Sequence, residues 1–65
     1  MFMTTWKLSP FERSCLRWIS LGRSVSEIAL LEGKSEAEIN LCLERALVLL
    51  GAISMEDALK KADLI

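Results

Sequence analysis

Apolar residues recur along this chain in steps of three and four rather than two. Phe11, Cys15, Leu16, Trp18 and Ile19 make the first run, Val25, Ile28, Ala29 and Leu31 the second. Ile39, Cys42, Leu43, Ala46, Leu49 and Leu50, with Leu47 at the edge, make the third; Met55, Ala58, Leu59, Ala62 and Ile65 make the last. That period lays one face of a helix on a core. Each run is opened by a serine with an acid three positions later: Ser9/Glu12, Ser24/Glu27, Ser35/Glu38 and Ser54/Asp57. Such a pair is a capping box, in which the serine hydroxyl takes an orphan amide of the first turn and the acid reaches back to the serine's own amide. Pro10 occupies a first helical position, where its missing amide costs nothing. Gly22, Gly33 and Gly51 fall where the first three runs should stop. The pattern predicts four helices, over 10–21, 25–32, 36–50 and 55–63, with no strand. The fold class is all-α, a compact four-helix domain over 8–65, preceded by an arm over 1–7 that orders only if Phe2 or Trp6 docks. The expected core is Phe11, Leu16, Ile19, Ile28, Ile39, Leu43, Leu47, Leu50 and Leu59.

The second and third helices are joined by Glu32-Gly33-Lys34, and the next cap, Ser35, follows at once. Two helices linked so tightly, with glycine in the turn, match a helix-turn-helix unit. The third helix has a second feature. Ala37, Leu41, Glu44 and Val48 lie at i, i+4, i+7 and i+11, opposite its core face. A surface helix normally fills that stripe with charge, and here three of the four residues are apolar. The stripe is therefore expected to be an interface.

Composition supports that expectation. Hydrophobic residues make up 52% of a 65-residue chain, whose mean hydropathy is +0.36, while a chain this short has little interior to hide them. The surplus predicts a homo-oligomer, joined through that stripe or through Met55, Leu59 and Ala62 of the fourth helix. The longest apolar stretch, Ala46 to Ile53, is far below the roughly 20 residues that span a bilayer. With no basic leader before a cleavable apolar segment, the expected location is the cytoplasm, with no membrane partner. Cys15 and Cys42 have no metal-ligand spacing, so they are expected to be buried thiols rather than a disulfide or a metal site. There is no histidine, no tyrosine and no Gly-rich phosphate loop. No catalytic residue, cofactor or enzymatic activity is expected.

From Leu8 onward the chain resembles the LuxR-type (GerE-like) helix-turn-helix domain, a DNA-binding module of bacterial transcription regulators. The resemblance rests on Leu8-Ser9-Pro10-Phe11-Glu12-Arg13, similar to that family's L-T/S-P-x-E-R opening. It continues in Leu16, the Gly22 turn, Ser26-Glu27-Ile28-Ala29 for K-E-I-A, Gly33-x-Ser35, Ile39, Leu47, Leu50-Gly51 and the helix over Ala58 to Ile65, without a gap. The resemblance implies that the third helix enters the major groove of double-stranded DNA and that the fourth often forms the dimer contact.

Departures from the family pattern concentrate on that third helix. Asn40 and Cys42 stand where the family has lysine and histidine, Glu44 where several members place a basic or small polar phosphate contact, and Val48-Leu49 where a basic pair is customary. The helix carries Glu36, Glu38 and Glu44 against Arg45 alone, a net charge of −2. Over the whole chain, residues 1–26 hold four cations against one acid, net +3, and residues 27–65 hold four against eight, net −4. Two functions follow. As a DNA-binding regulator, stand-alone and dimeric, the chain would contact phosphates through Arg23, Lys34, Arg45 and the helix end at Ser35. Asn40 would read adenine and Leu41 a thymine methyl. As a protein-interaction module, it would keep the fold and use the apolar and acidic face of Ala37, Leu41, Glu44 and Val48. That face would serve self-association or docking on a partner regulator, with little DNA binding.

Overall fold

Each of the four helices is capped by a serine (Ser9, Ser24, Ser35 and Ser54), and the capping decides where the chain turns. The computed structural model describes residues 8–65, so the arm expected over 1–7 lies outside the described residues. The helices are α1 (Pro10–Ser20), α2 (Val25–Glu32), α3 (Glu36–Leu50) and α4 (Met55–Lys61), and there is no strand among the described residues. The domain is all-α. At α1 the Glu12 amide donates to Ser9 Oγ at 3.2 Å and the Ser9 amide to Glu12 Oε1 at 3.0 Å. The same reciprocal pair closes at Ser24/Glu27 (3.2 and 2.9 Å) and at Ser35/Glu38 (3.1 and 2.9 Å). The fourth box is only half made. The Asp57 amide donates to Ser54 Oγ, but the Asp57 carboxylate accepts from the Ile53 amide at 3.1 Å instead of from Ser54. Aspartate is one methylene shorter than glutamate, and Ser54 is more extended (φ −156°) than the other three caps.

α2 and α3 end as expected. Gly33 (φ 67°) and Gly51 (φ 65°) are left-handed, and the next amides, of Lys34 and Ala52, return to Ala29 and Leu47 at 2.9 Å. That wrap satisfies carbonyls the last turn would leave open. α1 closes one residue earlier than expected, at Ser20, and α4 two residues earlier, at Lys61. The α4 ending has no glycine. Asp63 takes the left-handed role (φ 66°), and the Leu64 amide returns to Leu59 O at 2.8 Å. Aspartate is one of the few residues that visit this region at modest cost.

α3 packs against each of the other three helices, and α1 also meets α2. Leu16, Ile28, Ile39, Leu43, Leu50 and Leu59 are buried as expected, whereas Phe11, Ile19 and Leu47 are half-buried and lie against the core's edge. The interior is completed by Leu8 and by small side chains: Cys15, Ala29, Cys42, Ala46, Ala58 and Ala62. Small residues let helices approach closely in a domain with little interior volume. Three expectations for inward faces are corrected. Leu31 and Leu49, each at the flank of its helix's core arc, and Ile65, beyond the end of α4, are exposed. The oligomer contact expected on α4 is corrected as well. Leu59 and Ala62 are buried and Met55 is half-buried, so this short helix spends its apolar side on its own core. No helix among the described residues is long and apolar enough to cross a membrane.

Candidate functional site

The α3 helix faces two ways. Ile39, Cys42, Leu43, Ala46 and Leu50 hold one side in the core. Rotation by about 100° per residue then forces Ala37, Asn40, Leu41, Glu44 and Val48 outward, and all five are exposed. Leu41 retains 58% of its accessible surface and Val48 78%. The stripe read from the sequence is thus an uncovered face of the monomer. The turn before α3 is also exposed at Lys34 and Ser35, and the Ser26 hydroxyl donates to Glu36 Oε2 at 2.7 Å, tying α2 to the first turn of α3.

The expected phosphate contacts are placed less evenly. Lys34 Nζ sits 5.6 Å from the centre of the Phe11 ring, a cation–π position on an otherwise open side chain. Arg23 lies 3.8 Å from Glu27, with both side chains about half exposed, a pairing worth little in water. The Ser35 hydroxyl and amide are both engaged by Glu38. The Ser35 amide donates to the Glu38 carboxylate while the Ser35 hydroxyl accepts from the Glu38 amide. Hydrogen bonding by Ser35, its amide first, lowers the pKa of the Glu38 carboxyl, so a charged carboxylate already occupies the N-terminus of α3.

Arg45 is the most altered of the set. Its Nε donates to Glu12 Oε2 across 33 residues of sequence. Glu12 is only 4% exposed, the sole charged side chain in the described interior. Burial pushes its pKa up, but the Ser9 amide and the Arg45 guanidinium together outweigh that and hold it below the ordinary 4.5. The hydrogen bond to Glu12 in turn raises the Arg45 pKa. Sequence reasoning gave Glu12 a capping role and Arg45 a phosphate. The geometry joins the two, leaving Arg45 half exposed but anchored to α1. The only available signal was that Glu12 is the single acid among residues 1–26.

A second exposed apolar region lies away from α3. Between the end of α1 and the length of α2, Trp18, Arg23, Glu27, Leu30 and Leu31 line an open groove of about 340 Å³. A smaller hollow of about 150 Å³ continues it past Arg17 and Leu21. Trp18 shapes both, held by its indole Nε1, which donates to Glu32 Oε2 at 2.8 Å. Leu30 is 83% exposed. This groove was missed in the sequence, where Leu31 was assigned inward.

Cys15 and Cys42 are fully buried free thiols. Burial first, and then the hydrogen bond to Cys42, push the Cys15 thiol up to about 12; burial also raises Cys42. No group of three or more potential ligands that could hold a metal ion occurs among the described residues. Compared with known proteins, the chain matches no family model, no curated protein and no solved structure.

Proposed function

We propose that this chain is a DNA-binding transcription regulator of the LuxR helix-turn-helix type, acting in the cytoplasm. The observation that supports the reading best is the presentation of α3. A capped, glycine-closed turn joins it to α2, and its outer face stands free of the core from Ala37 to Val48. A recognition helix needs that placement to enter a major groove. Asn40 is exposed on that face for a bidentate adenine contact, with Leu41 beside it for a thymine methyl.

The charge sets the affinity. With Arg45 anchored to Glu12, the cations left for phosphates are Lys34, in the turn before α3, and Arg23, beside the start of α2. Binding to random duplex is then weak, with a log–log salt slope of about −2 per bound domain. Lys34→Ala weakens binding to all sequences and reduces the slope by about one, whereas Asn40→Ala relaxes preference at one base pair. Fluorescence anisotropy of a labelled random duplex over a salt titration measures both. Absence of any salt-dependent binding at low ionic strength refutes the reading.

A second reading is favoured by a different observation, the apolar surface of Leu41 and Val48 on a helix of net charge −2. As a protein-interaction module, the chain binds duplex only slightly, and Leu41→Glu or Val48→Glu removes association by placing a charge in a desolvated contact. Adding lysine at Asn40 and Glu44 then creates duplex affinity where the natural chain has almost none.

A further inference from the structure

Two exposed apolar surfaces lie on different elements of this small domain. The first is the α3 stripe, whose aliphatic side chains Leu41 and Val48 flank Glu44. The second is the groove between α1 and α2, whose floor is Trp18 and whose walls are Leu30 and Leu31. The groove's own charges are Arg23 and Glu27, paired with each other, and the smaller hollow that shares Trp18 carries the exposed Arg17 together with Glu32, whose carboxylate accepts from Trp18. Arg17 has no ion-pair partner among the described residues, and neither has Glu44. One surface is a ridge with an unpaired acid at its centre; the other is a hollow with one unpaired cation, Arg17, beside it.

We propose that the α3 stripe of one copy seats in the α1–α2 groove of a second copy, a head-to-tail contact between two different surfaces of the same chain. Leu41 and Val48 enter the hollow beside Trp18, Leu30 and Leu31, and Glu44 meets Arg17 of the receiving copy. The groove's 340 Å³ lies within the size range of pockets that bury apolar groups. The alternative, pairing the stripe with itself about a two-fold axis, brings Glu44 against its own copy near the axis, where like charges repel in a partly desolvated contact. Glu44 opposite the unpaired Arg17, rather than opposite a second Glu44, therefore favours the heterologous arrangement. Such contacts do not saturate at two copies: they close into a ring if the rotation permits and otherwise extend as a chain. The contact also covers the face that the DNA reading requires, so self-association and duplex binding exclude one another at each occupied α3.

The test uses two single variants at exposed positions, Leu31→Glu in the groove and Leu41→Glu on the stripe, with circular dichroism confirming that each stays helical. Sedimentation velocity of the natural chain is expected to show species beyond the dimer growing with concentration. Each variant alone has lost one of the two surfaces but kept the other, so neither can extend a chain. Each is expected to sediment as a monomer. An equimolar mixture is expected to give a 1:1 heterodimer that grows no further, because the intact stripe of the groove variant fits the intact groove of the stripe variant. Charge reversal gives a second readout: Arg17→Glu weakens association at least several-fold, and adding Glu44→Arg in the same chain restores it. A natural chain that remains monomeric at high concentration overturns the proposal. So does a mixture that stays monomeric, or a groove variant that still dimerises on its own. Association is measured without DNA, so the result is independent of whether α3 binds duplex. The groove variant, altered away from α3, keeps whatever duplex affinity the chain has, and its loss of association with unchanged DNA binding separates the two surfaces.

Discussion

Replacing Glu12 by glutamine is the most informative single change, because this carboxylate joins a helix cap, the core and the candidate recognition helix. In the natural chain it accepts one hydrogen bond from the Ser9 amide and another from Arg45 Nε, at 4% exposure. Glutamine is the same size but has one acceptor oxygen, and its amide nitrogen must point at one of two donors. One charge-assisted bond is lost, at about 1.5–3 kcal/mol. The full 3–5 kcal/mol known for breaking a buried ion pair does not apply, because the Arg45 side chain keeps 55% of its surface and stays solvated. In a domain of this size the loss corresponds to a fall of roughly 10 °C in Tm. The pH dependence identifies the cause. The Glu12 pKa is lower folded than its ordinary 4.5, so its contribution is complete above that value and disappears as pH falls through the folded value. The natural chain is therefore expected to lose stability in acid faster than Glu12→Gln, and the gap between them to narrow below about pH 4.5. Urea unfolding at a series of pH values measures it. A gap that is under about 0.5 kcal/mol at neutral pH, or that stays constant into acid, refutes the assigned role of Glu12. The substitution also removes the counter-charge that Arg45 neutralises. Under the DNA reading, duplex affinity then rises and the salt slope steepens by about one.

The remaining expectations concern the interior. Leu43→Ala, at a buried position on the α3 core face, is expected to cost about 2–5 kcal/mol through the cavity it leaves, enough to unfold most of the population; chemical denaturation of the purified chain measures it, and a near-neutral effect would place Leu43 outside the core. Cys15 and Cys42 are expected to resist a thiol reagent at pH 8 and to react fully in denaturant. Their raised pKa values and zero exposure leave almost no accessible thiolate, so rapid labelling of the native protein would contradict that burial.

Local chemistry was the legible part of this fold. A serine, an acid three residues on and a glycine after the run act within one or two turns, so α2 and α3 could be bounded from the letters alone. α4 was read too long for the complementary reason. Its end depends on Asp63 adopting a left-handed backbone that no residue-level signal marks. Apolar periodicity revealed that faces exist but not what covers them. Leu59 and Ala62 resemble Leu41 and Val48 in chemistry, yet the first two are buried and the last two exposed, because the seven-residue α4 has only one apolar side and α3 has two. The second helix shows the same limit: Leu30 and Leu31 are adjacent, and only the position of Trp18, fixed from α1 by Glu32, makes them walls of one groove.

The pairing of Glu12 with Arg45 was the least visible feature and has the largest consequence for function. Nothing within a turn of either residue signals the other, since the contact forms only when α1 crosses α3. Once formed, it converts the one cation of α3 from a free phosphate contact into the counter-charge of a buried carboxylate. The outer face of that helix is then left with Asn40 and Glu44 among aliphatic side chains. A surface so composed gains little from the long-range attraction that dominates DNA affinity and much from desolvation against an apolar groove. The contest between duplex and second copy for α3 is therefore governed by salt in one direction and by protein concentration in the other. Raising ionic strength weakens the DNA complex steeply while leaving the apolar part of the self-contact intact.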